Sequence, residues 1–163
     1  MKNKIILNLE VVNKKWKKLI YYGCFYEVVC LTLEKAKLFN SELTIRLINN
    51  NEIKKLNKIW RQKNLPTNVL AFPNYEINNF SNNLNYIGDV AISYDKIREE
   101  SNLYGISFFD HVIHIVIHGV LHLAGYDHNN KVNEKKMMNL EKIILKSMSI
   151  DVSLLDKKYI EGN

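Results

Sequence analysis

The chain has 163 residues, 47% of them hydrophobic and 25% charged, enough to bury a continuous core in one domain without disulfide staples. Its net charge of +6, from 23 basic against 17 acidic side chains, suits a polyanionic partner such as nucleic acid, although an Asn- and Lys-rich composition produces such a surplus by itself. No apolar run approaches the ~20 residues of a membrane-spanning helix. The basic start is interrupted at Asn8 and Glu10 too early for a signal peptide, and Cys24 and Cys30 show neither metal-ligand nor framework spacing. These features lead us to expect a soluble, cytoplasmic protein with reduced thiols and no membrane partner.

In chain order, Ile5, Leu7, Leu9 and Val11 alternate with mostly polar neighbours and predict a half-buried strand. From about 13 to 40 the pattern is helical, with Trp16, Leu19 and Ile20 on one face and a break near Gly23. Leu43, Ile45 and Leu47 alternate with Thr44 and Arg46 as a second strand. Asn50 or Asn51 can cap a helix whose apolar face is Ile53, Leu56 and Trp60. Val69 to Phe72 predicts a short strand that Pro73 places at an edge or ends. An Asn-rich loop over 74–85 follows, bordered by Tyr75, Phe80 and Tyr86, which read as core anchors. Tyr86 to Ser93 predicts a strand, and Tyr94 to Asn102 a charged helix. Phe108 to Leu123 is apolar almost all round, with a capping start at Ser107 and Asp110 and a stop at Gly125, as a buried central helix requires. A last helix, about 133–148, carries Met137, Leu140, Ile144 and Met148 on one side. No repeat or linker divides the chain, so the expectation is a single α+β domain over 1–163.

All five histidines, His111, His114, His118, His122 and His128, lie in one short segment. Helical periodicity puts the first four on one narrow stripe. Burying several imidazoles on an otherwise apolar helix costs free energy unless each finds a partner, and a metal ion can serve several at once. His118 and His122, four residues apart, can face one ion, and Gly125 can turn the chain so that His128 becomes a third ligand. Three imidazoles leave a fourth position for water, which favours a catalytic over a closed structural site. Zinc is favoured, at one ion per chain, while imidazole also suits iron, nickel and copper. His114 and Asp127 are candidates for orienting the ligand imidazoles, with a core position and a turn as their plainer roles.

The same spacing occurs in the metalloprotease motif H-E-x-x-H-x-x-G-x-x-H. There, the residue after the first His is the general-base Glu; here it is Gly119. The ligand frame is kept while the peptidase base is absent, so the chemistry must differ.

His118 to His128, HGVLHLAGYDH, resembles the signature of the YbeY family of bacterial endoribonucleases and ribosomal RNA maturation factors. Trp60 to Pro73, WRQKNLPTNVLAFP, and Ile87 to Ser93, IGDVAIS, resemble that family's other two blocks, in the same order, within about 42–148. Residues 12–40 and the tail after 149 carry no matching motif. The resemblance implies a zincin-like α+β domain, a mixed sheet of about four strands around the ligand-bearing helix, with zinc held by His118, His122 and His128. It also implies metal-dependent cleavage of single-stranded RNA in small-subunit ribosomal RNA processing and ribosome quality control. Arg61 falls on the family's arginine, which is assigned to catalysis or substrate binding. Gln62 stands where glycine is usual, and Ala71 where serine is common.

Elementary chemistry agrees with that implication. Phosphodiester cleavage needs charge stabilisation on the phosphoryl oxygens, and neutral imidazoles leave an ion's full charge for that task. Arg61 can offer a planar donor fork to phosphate, and Lys54 and Lys58 extend a basic stripe along the same helix, a candidate track for RNA. Asp89 either faces the site or closes a strand. The competing expectations are a non-catalytic RNA-binding assembly factor with a structural metal, docked on the small ribosomal subunit, and a metallohydrolase acting on a small substrate.

Overall fold

The alternation of side chains along the strands decides which face of the sheet is dry. In a computed structural model, which describes residues 4–19, 22–75 and 84–156, four strands form one mixed sheet in the order β1-β2-β4-β3. These are β1 (Ile5–Val11), β2 (Ser41–Ile48), β3 (Val69–Pro73) and β4 (Asn85–Ser93). β1, β2 and β4 run parallel, and β3 is the antiparallel edge. Leu43, Ile45 and Leu47 of β2 and Val90 and Ile92 of β4 are fully buried on one face. Their core is shared with α2 (Tyr22–Lys35) and α5 (Phe108–Leu123). The other face presents Thr44, Arg46, Asp89 and Ala91. It is covered near the β3–β4 edge by α3 (Asn50–Arg61), through a small cluster of Ile48, Ile53, Leu70 and Ala91. The α+β arrangement expected from the sequence is therefore present, with all four strands where the alternation puts them. Among the described residues no helix is long and apolar enough to cross a membrane.

Several local expectations are corrected. The helical stretch after β1 does break near Gly23, just before α2 begins at Tyr22, and Gly23 itself lies inside that helix. In the first piece, α1 (Lys14–Lys17), Trp16 is buried and pinned by its indole N–H donating to the Ile48 carbonyl at 2.9 Å. Ile20 and Phe80 lie outside the described residues. The cap of α3 is Asn49, one residue earlier than expected: its side chain accepts from the Glu52 N–H at 3.0 Å and Glu52 returns the bond to the Asn49 N–H at 3.1 Å. Trp60 is 66% exposed and Tyr75 is 90% exposed, so neither belongs to the core. The last helix, α6 (Lys131–Ser147), starts two residues earlier because Asn130 caps it.

Two contacts set the position of α5. At its start, His111 donates to Glu100 of α4 (Tyr94–Tyr104) at 2.7 Å. Burial alone would raise the Glu100 carboxyl, but the hydrogen bonds from His111 and Asn68 outweigh it and hold it below the usual carboxylate range. Further along, Gly119 lies so close to the sheet that an added Cβ would sit 2.6 Å from Val90 Cγ1 and 3.3 Å from Val69 Cγ2. Any side chain at the position occupied by a base in peptidases would therefore have to displace Val90.

A depressed carboxylate stabilises the fold above its unfolded pKa, near 4.3, and that stabilisation is lost as pH falls through its folded value. Glu100→Gln is accordingly expected to be less stable than the parent at pH 7, with the gap closing below about pH 4; a gap that persists at acid pH in urea titrations contradicts the pairing. Gly119→Ala is expected to lose about 1–3 kcal/mol in the same assay, and unchanged stability would mean the helix does not lie flush on the sheet.

Candidate metal centre

Helix α5 brings His118 and His122 onto one face, one turn apart, and ends at Ala124. Gly125 then takes a φ of +88°, a left-handed conformation that glycine adopts without steric cost, and the chain reverses. His128 returns on that reversal: its ring centroid lies 5.7 Å from that of His118 and 5.0 Å from that of His122. Ligand nitrogens of the three residues all lie within 4.8 Å of one another. The two Nε2 atoms of His118 and His122 are 3.1 Å apart, and a tetrahedral ion at zinc–nitrogen bond lengths needs its donors roughly 3.3 Å apart. The donor set fits such an ion.

The protonation states fit as well. Nδ1 of His118 donates to Glu141 Oε1 at 2.7 Å, which fixes the proton there and leaves Nε2 as a lone pair. Burial, and after it repulsion from the His118 and His128 rings when they carry a second proton, push the His122 ring down to about 4, so it is a neutral imidazole at physiological pH. The Arg61 guanidinium, which walls the same cleft, adds to that depression.

Glu141 is the residue that pattern reasoning missed. It projects from α6, is fully buried, and lies 3.6 Å from His114 Nε2 as well as against His118. Burial opposes its ionisation, but the two imidazoles more than compensate and keep the carboxyl low. A signal existed: Glu141 falls four residues after buried Met137 and three before buried Ile144, on the face that should be apolar. His114, His118 and Glu141 form a second group of potential ligands. It is sealed from solvent, whereas His118, His122 and His128 open onto a cleft.

That cleft, about 540 Å³, is walled by Arg61, Asn68, Ala71, Tyr75 and Asp127 together with the three histidines. Arg61 ends α3, and the next residue, Gln62, is left-handed at φ +58°, the conformation for which a glycine is the natural occupant. The buried Asn57 side chain donates to the Leu65 carbonyl at 2.8 Å and ties down the loop that follows. The Asp127 carboxylate accepts from the Asn129 N–H at 3.2 Å and from Asn133 Nδ2 at 2.9 Å, so it shapes the turn that carries His128. Lys54 and Lys58 are exposed on α3 and do not wall the cleft. Asp89 faces the opposite side of the sheet, in a separate cavity.

Carboxylates that hold the far nitrogen of a ligand imidazole typically account for 10–100-fold in metal affinity. Glu141→Gln is expected to weaken zinc binding by roughly that factor in chelator competition; an affinity equal to the parent's would dissociate Glu141 from the site.

The comparisons with known proteins agree with one another. The family model described as Endoribonuclease YbeY matches residues 8–149. A protein of Bartonella bacilliformis named Endoribonuclease YbeY is 35% identical over 149 residues, covering 90% of this chain and 94% of its own. Its namesake from Buchnera aphidicola subsp. Baizongia pistaciae is 38% identical, covering 91% and 96%. Among solved structures, the solution structure of TM1509 from Thermotoga maritima superposes with a TM-score of 0.59 at 25% identity, covering 88% of this chain and 92% of that one. With the family model spanning most of the sequence and relatives of this identity along nearly their whole length, the chain belongs to the YbeY endoribonuclease family.

Proposed function

We propose that this protein is a zinc-dependent endoribonuclease that cuts single-stranded RNA, acting in the cytoplasm on small-subunit ribosomal RNA and the small ribosomal subunit during maturation and quality control. The whole chain, 1–163, is taken as one such domain. The observation that carries this reading is the cluster of His118, His122 and His128 at the floor of a cleft that Arg61 also walls, in a chain whose relatives are named endoribonucleases.

In this reading His118, His122 and His128 hold the ion, with the proton on His118 Nδ1 retained by Glu141. Bound there, the ion supplies a Lewis acid for phosphoryl oxygens and acidifies a bound water. Arg61 offers its planar N–H fork to the phosphate and stabilises charge as it builds on the equatorial oxygens. The turn held by Asp127 fixes how far His128 can swing. Lys54 and Lys58 draw the RNA backbone towards the end of α3 without contacting the reacting phosphate. A peptidase assignment finds no support, since a carboxylate cannot be built at position 119 without displacing Val90.

Elemental analysis of the untagged protein should find about one zinc per chain. His122→Ala should lose both the metal and cleavage of single-stranded RNA, because two imidazoles seldom retain zinc. Arg61→Ala should keep the metal and lose roughly 10²-fold in cleavage rate. A folded parent protein that takes up no zinc when offered it overturns the enzyme reading in favour of the assembly factor. An Arg61→Ala protein with full activity removes that residue from the mechanism.

A further inference from the structure

The edge strand β3 has a cavity on each side. One is the metal cleft. The other, about 770 Å³, lies on the opposite face of the sheet beneath α3, and Arg61, Ala71, Pro73 and Tyr75 border both. A chain that crosses the edge strand therefore passes from one to the other without leaving the protein surface.

The second cavity has a distinct chemistry. Trp60 stands at its rim, 66% exposed, its ring held by an edge contact to Phe72 with centroids 5.7 Å apart. Burying this indole would be favourable, yet among the described residues it is left as an open aromatic face. The floor comes from the sheet, where Arg46 pairs with Ala91 and Thr44 with Asp89 across β2 and β4, so a cation and a carboxylate flank the small Ala91. Asp89 Oδ1 accepts from the Tyr86 hydroxyl at 2.8 Å, and that hydroxyl also lies 3.1 Å from Thr44 Oγ1, which orients the carboxylate. Arg46 is oriented by donating Nε to Glu10 at 2.8 Å. A carboxylate repels RNA phosphates, so its place in a cavity continuous with a phosphate site calls for a group that only donates hydrogen bonds.

We propose that this cavity is a nucleobase subsite selective for guanine, occupied by a nucleotide beside the scissile phosphate; the proposal rests on the endoribonuclease reading of the neighbouring cleft. Guanine presents two parallel donors, N1–H and the N2 amino group, to the acceptor-only carboxylate of Asp89, and its O6 and N7 acceptors suit the donor-only Arg46. Adenine and cytosine offer a carboxylate a single amino group beside a ring acceptor, and uracil a single N–H between two carbonyls. Trp60 supplies the stacking face, which is tolerant of the base and so contributes affinity without selectivity.

The test is titration of the zinc-loaded full chain with GMP, AMP, CMP and UMP. Binding is read by quenching of the indole fluorescence, which Trp60 should dominate because Trp16 is buried, and by calorimetry for the variants. GMP is expected to bind roughly tenfold or more tightly than the other three. Asp89→Asn should erase that preference, and Trp60→Ala should weaken all four by roughly tenfold. Equal affinity for the four nucleotides, or a guanine preference that survives Asp89→Asn, overturns the subsite. Should Asp89→Asn fail to fold, the base series on the parent protein decides alone. RNA cleavage assayed in parallel separates the two levels of the argument. Cleavage without any guanine preference rejects the subsite and leaves the nuclease, whereas guanine-selective binding without cleavage rejects the nuclease and leaves a guanine-binding cavity.

Discussion

Helix α5 can lie flush on the sheet because position 119 carries no side chain. The helix axis is thereby set at the depth where Val69 and Val90 fill the space beside it, and everything chemical on the helix inherits that depth. His118 is almost fully buried and His122 half-buried, while His128 arrives from outside on the Gly125 turn. The ligand geometry and the packing of the core are thus two aspects of one close contact.

The same helix carries an unusual load of buried polarity. Buried carboxylates and imidazoles cost free energy unless paired, and here the pairing is by helix: Glu100 from α4 meets His111, and Glu141 from α6 meets His118 and stands near His114. Each acid comes from a neighbour that also packs apolar groups against α5, so the carboxylate–imidazole contacts add orientation to a contact already driven by burial. Such pairs are poor sources of net stability and good sources of register. They fix which face of α5 turns towards the cleft.

Much of this was legible beforehand, for identifiable reasons. The strands announce themselves by alternation, and the triad of histidines by a spacing of four followed by a glycine turn. What escaped notice was non-local. Glu141 lies 23 residues beyond His118 in a helix whose pattern is carried by Met137, Leu140, Ile144 and Met148, and its buried position becomes meaningful only once α6 is laid across α5. Trp60 reads as part of the apolar face because helical periodicity records a face without saying whether anything covers it; α3 reaches the sheet near its edge, where among the described residues only Phe72 meets the Trp60 ring. Asn49 against Asn50 was a choice among adjacent equals that only the reciprocal bond with Glu52 resolves.

Gln62 sits in the left-handed region with a side chain that makes this conformation costly, by about 1 kcal/mol. A glycine would relieve that cost and would also enlarge the set of conformations open to the unfolded chain and to the hinge itself. The two effects oppose each other at similar size, so the overall stability of the protein is nearly indifferent to the choice. The stiffness of the joint is not. With glutamine, the backbone just after Arg61 has few alternatives to the conformation it occupies, and the arginine is presented from a fixed post instead of a swivel.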